Sequence, residues 1–185
     1  MQFHRKVPLM STGQLKLAVI VGSVRRGRFG PLVADWFVRR AKARDDFDVD
    51  VVDLIDTPVP RADRIGDADA FAVITPEYNH SFPGPLKTAI DAFRDEWKAK
   101  PVGLVSYGGI SGGLRAVEAL RPVFAELHAV TIRETVSFHQ ARERFDEDGE
   151  PKDPMADTAA TRLFDQLGWW GHTLREAKRR RPYRW

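Results

Sequence analysis

The chain has 185 residues, 43% of them hydrophobic and 30% charged, which suits one soluble globular domain with a sizeable core. It contains no cysteine, so disulfides, thiol nucleophiles and cysteine metal sites are excluded. Its net charge of +3 is carried by a tail: Lys178, Arg179, Arg180, Arg181 and Arg184 lie in the last eight residues, and without them 24 basic groups face 26 acidic ones. A solvated helix end accounts for that run, since basic residues suit a helix C-terminus, so no nucleic-acid partner is expected.

No apolar run approaches the length of a membrane span, and Met1–Lys6 lacks the apolar stretch of a secretion signal. The expectation is a cytoplasmic protein with no membrane partner. Residues 1–14 read as an N-terminal extension, with Met10 an alternative start, followed by one domain over 15–177 and the tail over 178–185.

Leu15 to Val21 is apolar except for Lys16 and predicts a first strand. Helix 1 begins near Pro31, where Leu32, Val33, Trp36, Phe37 and Ala41 share one face at helical spacing. Val49, Val51 and Val52 predict strand 2, and Phe71 to Thr75 strand 3. Leu86, Ile90, Phe93 and Trp97 mark the buried face of the next helix. Strand 4 runs from Pro101 to Ser106. Leu114, Val117, Leu120, Phe124 and Leu127 line one side of a helix that Pro122 should kink, because proline removes a backbone donor. Val130 to Val136 predicts strand 5. Residues 140–156 are charged and turn-rich and read as an exposed loop, and the last helix carries Leu163, Leu167, Trp170 and Leu174. Strands alternating with helices imply an α/β fold with a parallel sheet covered on both faces.

Three strand-to-helix loops carry the chemistry. The first, Gly22 to Pro31, ends at a helix N-terminus, where unpaired amides and a partial positive charge suit an anion. Ser23 adds a hydroxyl, and Arg25 and Arg28 add forked donors that match phosphate oxygens. No glycine stands two residues after Gly22, so the dinucleotide fingerprint is absent. Arg28 and Phe29 replace the Lys and Ser/Thr of a nucleotide-hydrolysing loop, removing its magnesium ligand. A terminal monophosphate remains.

The second loop, Thr75-Pro76-Glu77-Tyr78-Asn79-His80-Ser81-Phe82-Pro83-Gly84-Pro85-Leu86-Lys87, projects from strand 3. Its prolines stiffen it, and Pro85 falls in the first turn of the following helix. The third, Ser106-Tyr107-Gly108-Gly109-Ile110-Ser111-Gly112-Gly113-Leu114-Arg115-Ala116, packs four glycines together, so backbone can approach a ligand that side chains would block.

The second loop resembles the PEYNxSxPGxLKNAID signature of the NADPH-dependent FMN reductase family, with Thr88 in place of the usual Asn. The first is similar to that family's GSxRxxS pattern, with Arg28 where many members carry serine. The third is similar to its SxGGxxGGxRA segment. The resemblance implies a flavodoxin-like sandwich with sheet order 2-1-3-4-5 and FMN at the switch point. It implies an FMN site made by Ser23, Arg25, Arg28, Phe29, Gly30, Pro76, Glu77, Tyr78, Asn79, Ser106, Tyr107, Gly108, Gly109 and Ser111, with the amides of Glu77, Tyr78 and Asn79 on the polar edge of the flavin ring.

It further implies an NAD(P)H-dependent flavin oxidoreductase, with NADPH or NADH as cosubstrate and a quinone, free flavin or similar acceptor. The flavin itself takes the hydride, so no catalytic side chain and no metal are expected. A homodimer or homotetramer is implied as well; of Trp169 and Trp170, one can follow the leucine stripe inward and leave the other for a partner. A flavodoxin-type electron carrier is the alternative, although such carriers are acidic and this chain is not.

Overall fold

A computed structural model describes residues 13–184. Residues 1–12 of the proposed 1–14 extension, with the alternative start at Met10, lie outside them. Five strands, β1 (Leu15–Val21), β2 (Phe47–Asp53), β3 (Ala70–Pro76), β4 (Pro101–Tyr107) and β5 (Val130–Phe138), form one sheet in the order β2-β1-β3-β4-β5. Every neighbouring pair is parallel, as predicted. The helices are α1 (Gly30–Lys42), α2 (Ala62–Gly66), α3 (Gly84–Asp91), α4 (Leu114–Glu126) and α5 (Met155–Arg180).

Alternation along β1 divides the core. Leu15, Leu17, Val19 and Val21 pack with α1 and α5 on one face, whereas Ala18 and Ile20 pack with α2, α3 and α4 on the other. Strand β3, central in the sheet, is buried along its whole length, the pattern of a parallel strand covered twice. Because the chain leaves β1 toward β2 and then returns to β3 on the other side, the crevice between β1 and β3 opens at the carboxyl ends of the strands.

Several expectations are corrected. The predicted helix through Phe93 and Trp97 stops at Asp91, and Trp97 lies in a 3-10 turn, Asp95–Trp97. Its indole N–H donates to Ile90 O at 3.1 Å, using a carbonyl at the helix end, and its ring packs on Phe71. Helix α4 continues through Pro122 as one element, and Leu114 on its predicted buried face is exposed. Residues 140–156 are not simply an exposed loop: a 3-10 turn, Ala141–Glu143, precedes a bridge between Phe145 and Pro151. Phe145 is buried against Phe29, Trp36 and Phe138, which draws the segment onto the core. Helix α5 runs on to Arg180 and takes up the start of the predicted basic tail. The five-residue α2 has no counterpart in the predicted elements. No helix among the described residues is long and apolar enough to cross a membrane.

Candidate active site

The loops after β1, β3 and β4 meet at the carboxyl edge of the sheet around a cleft of about 260 Å³. Ser23, Arg25, Arg28, Phe29, Pro76, Glu77, Tyr78, Tyr107 and Gly108 line it, so the structure brings most of the predicted site residues together. Arg26, Gly27, Ala141 and Arg142, outside the predicted set, line it too. The last two arrive because Gln140 N and Ala141 N donate to Gly109 O and Gly108 O, at 2.9 and 3.0 Å, tying the end of β5 to the glycine loop.

In the first loop, Ser23 is buried and its Oγ lies 2.6 Å from Tyr78 Oη. The Arg25 guanidinium stacks on the same Tyr78 ring, 3.5 Å from its centroid, so one side chain of the second loop orients both polar groups of the first. Arg28 is turned away. It forms a bidentate pair with Asp53 at 2.5 and 2.7 Å and donates to Ser23 O at 2.7 Å. It thereby braces the loop against the end of β2, an assignment its local sequence did not suggest. Freeing Arg28 with Asp53→Asn should therefore weaken anion binding, as should Arg28→Ala; were Arg28 a phosphate ligand, Asp53→Asn would strengthen it. Comparing the two variants' affinities for FMN checks this.

The second loop is stiffened by a tight turn as well as by its prolines. Tyr78 N and Ser81 N exchange hydrogen bonds with Ser81 O and Tyr78 O at 2.8 and 3.1 Å, and Asn79 and His80 between them both have positive φ. Tyr78 N is therefore already bonded, and Glu77 N donates to Tyr107 O at 3.2 Å. The expectation that both amides face a ligand is corrected accordingly.

The third loop engages its own hydroxyls. Ser106 Oγ, wholly buried, donates to Gly112 O at 2.9 Å, and Ser111 Oγ donates to Glu77 Oε2 at 2.5 Å. Both hydroxyls thereby hold the loop. Gly109 is open, with nothing within 4 Å of an added Cβ, whereas a Cβ on Gly30 would come within 2.8 Å of Tyr107 Oη.

Tyr107 Oη is buried and makes no hydrogen bond of normal geometry among the described residues, although the Ser23 hydroxyl lies near enough to favour its ionised form. Burial pushes its phenol up, so it stays a neutral donor. A buried hydroxyl without a partner is uncommon in folded proteins, and here it lies among residues that line the cleft. Together with Arg25, stacked on Tyr78 in the loop that leads into α1, the donor set suits a ligand with a terminal phosphate.

Glu77 shows the electrostatics of the site. Burial alone would raise its carboxyl, but hydrogen bonds from Ser111 and Arg115, then the charge of Arg115, hold it below the ordinary carboxylate range. A depressed folded value means its stabilising contribution is full above the unfolded value of about 4.3 and disappears as pH falls through the folded one. Acid unfolding of Glu77→Gln should lack that segment of the wild-type pH dependence, as circular dichroism melts at stepped pH can measure.

Comparison with known proteins agrees with this geometry. The NADPH-dependent FMN reductase family matches residues 15–143, which include all three loops. The chain belongs to that family. An NAD(P)H-dependent FMN reductase of Schizosaccharomyces pombe is 37% identical over 53% of this chain and 60% of its own length. The match therefore spans less than two thirds of that relative. A 2-hydroxy-1,4-benzoquinone reductase of a Burkholderia species is 35% identical over 62% of this chain and 67% of its own. An NAD(P)H:quinone oxidoreductase of Solanum tuberosum is 32% identical over 73% of this chain and 81% of its own. Among solved structures, the flavoenzyme NAD(P)H:(acceptor) oxidoreductase of Paracoccus denitrificans superposes with a TM-score of 0.71 at 24% identity, covering 86% of this chain and 98% of that one. At that identity the likeness establishes the fold, a flavodoxin-like sandwich.

Proposed function

We propose that this family member binds FMN with its phosphate on the loop from Ser23 to Gly30 and its ring between the loops after β3 and β4. The observation that carries the reading is the convergence of the three loops on one cleft beside an unpartnered buried phenol. FMN held there would supply the redox chemistry, hydride acceptance from NAD(P)H and electron donation to an acceptor such as a quinone or free flavin.

The chain's own residues bind, orient and enclose. Arg25, held on Tyr78, meets the phosphate with a charge-assisted bond; Tyr107 Oη supplies a neutral donor; Phe29, backed by Phe145, forms an apolar wall under Arg142. His80 and Glu77 are assigned no proton transfer. Donor and acceptor share one opening and bind in turn, so initial rates should give parallel double-reciprocal lines with NADPH and a quinone. Intersecting lines would require both to be bound together.

Visible absorption of the purified protein, titrated with FMN and separately with FAD, tests the cofactor assignment. FMN binding at least as tight as FAD is expected, because the loop is built for a terminal phosphate. Much tighter FAD binding would contradict it. For assembly, Trp169 is 62% exposed while Trp170 packs against the core, which supports a homo-oligomer with Trp169 in its interface. Sedimentation at micromolar concentration should exceed the 21.0 kDa of one chain. A 21.0 kDa particle would rule this out.

A further inference from the structure

We infer that Glu77 is a positioning residue whose carboxylate clasps the loop after β3 to the first turn of α4, fixing the spacing of the two loops that flank the flavin. The inference rests on the FMN reading for its functional consequence, though the clasp itself is a property of the protein alone. The β3–β4 ladder ends at the pair Pro76 and Tyr107. Just past it Glu77 N donates to Tyr107 O at 3.2 Å, and farther out side-chain bonds join the two loops.

Glu77 supplies them. Its side chain is 9% exposed and both its oxygens are engaged. Oε2 accepts from Ser111 Oγ at 2.5 Å and from Arg115 N at 3.2 Å, while Oε1 accepts from Arg115 Nη1 at 2.9 Å. These bonds join positions 34 and 38 residues apart in the chain. They also serve the helix. The N-cap of α4 is Gly113, which has no side chain to accept from the first-turn amides. Glu77 takes that place from another loop, accepting from Arg115 N with its negative charge at the positive end of α4. Ser111 Oγ extends the chain of bonds by accepting from Gly113 N at 3.4 Å. A carboxylate so occupied neither accepts from a ligand nor delivers a proton to one. Its effect on the cofactor is exerted through Ser111 and Arg115.

The test uses Glu77→Gln, Ser111→Ala, the double variant and Ser111→Thr, which keeps the hydroxyl. FMN affinity of the flavin-free full chain is read by quenching of FMN fluorescence, and amide exchange at residues 108–115 is read without flavin. Glu77→Gln and Ser111→Ala should each weaken FMN about tenfold and speed exchange in that loop. The double variant should be no weaker than Glu77→Gln, because both substitutions break one unit, and Ser111→Thr should restore affinity toward wild type. Wild-type affinity and protection in Glu77→Gln would overturn the proposal, as would additive losses in the double variant. Should the wild type itself fail to bind FMN, the functional reading fails, while unchanged exchange in the flavin-free variants would separately defeat the clasp. If Glu77→Gln does not fold, Ser111→Ala and Ser111→Thr decide the matter alone.

Discussion

Replacing Arg25 by alanine should weaken FMN binding by roughly ten- to hundredfold, the loss of a charge-assisted hydrogen bond worth about 1.5–3 kcal/mol. The effect is expected to be large because Arg25 is already oriented. Its guanidinium lies 3.5 Å from the centroid of the Tyr78 ring, and the Tyr78 hydroxyl is itself fixed at 2.6 Å from Ser23 Oγ. Little side-chain freedom then remains to be lost when the phosphate arrives. Tyr78→Ala, which removes the platform but leaves the charge, should produce a smaller loss in the same direction. Lys at position 25 should recover only part of the affinity, since it carries the charge without the planar fork. Fluorescence titration measures all three, and an unchanged dissociation constant in Arg25→Ala would refute the assignment.

Two alanine substitutions in the glycine loop should separate folding from ligand binding. Gly113 has φ of +88°, and a Cβ there would lie 2.7 Å from Ser106 Cβ and 2.9 Å from Tyr107 N. One contact is backbone, so little can move aside. Strain of about 1–3 kcal/mol from the left-handed conformation adds to about 1–3 kcal/mol of overpacking. For a chain of this size that lowers Tm by roughly 5–20 °C. Gly109 offers the contrast, since nothing lies within 4 Å of an added Cβ. Gly109→Ala should leave Tm of the flavin-free protein unchanged and yet weaken FMN, because its methyl group meets only the ligand. Equal losses of Tm in the two variants would mean that the loop is not open at Gly109.

The strands were legible because periodicity is a local signal, and their order came through the family resemblance that the three loop patterns carry. Val19 and Ile20 point to opposite faces by the geometry of a strand, and Pro85 lies in the first turn of α3, where its missing donor does no harm. What could not be read depends on partners distant in sequence. Arg28 looks like a phosphate ligand until Asp53, 25 residues away, is seen to hold it. Ser106 and Ser111 look like donors to a ligand until Gly112 O and Glu77 are found to engage them. Phe145 lies in a charged, turn-rich stretch whose local composition points outward, and its aromatic neighbours, together with the backbone bonds of Gln140 and Ala141 to the glycine loop, bring Ala141 and Arg142 to the cleft. The short α2 buries Ile65 alone, too little to produce a helical period. In each case the residue types were visible and the pairing was not.

The most direct measurement is an anaerobic titration of the FMN-loaded protein with NADPH, followed by its visible absorption. The yellow band should bleach within seconds with no second protein and no acceptor present, and adding a quinone should restore it. A band that persists under NADPH and bleaches only when a separate reductase is supplied would identify an electron carrier and contradict the account.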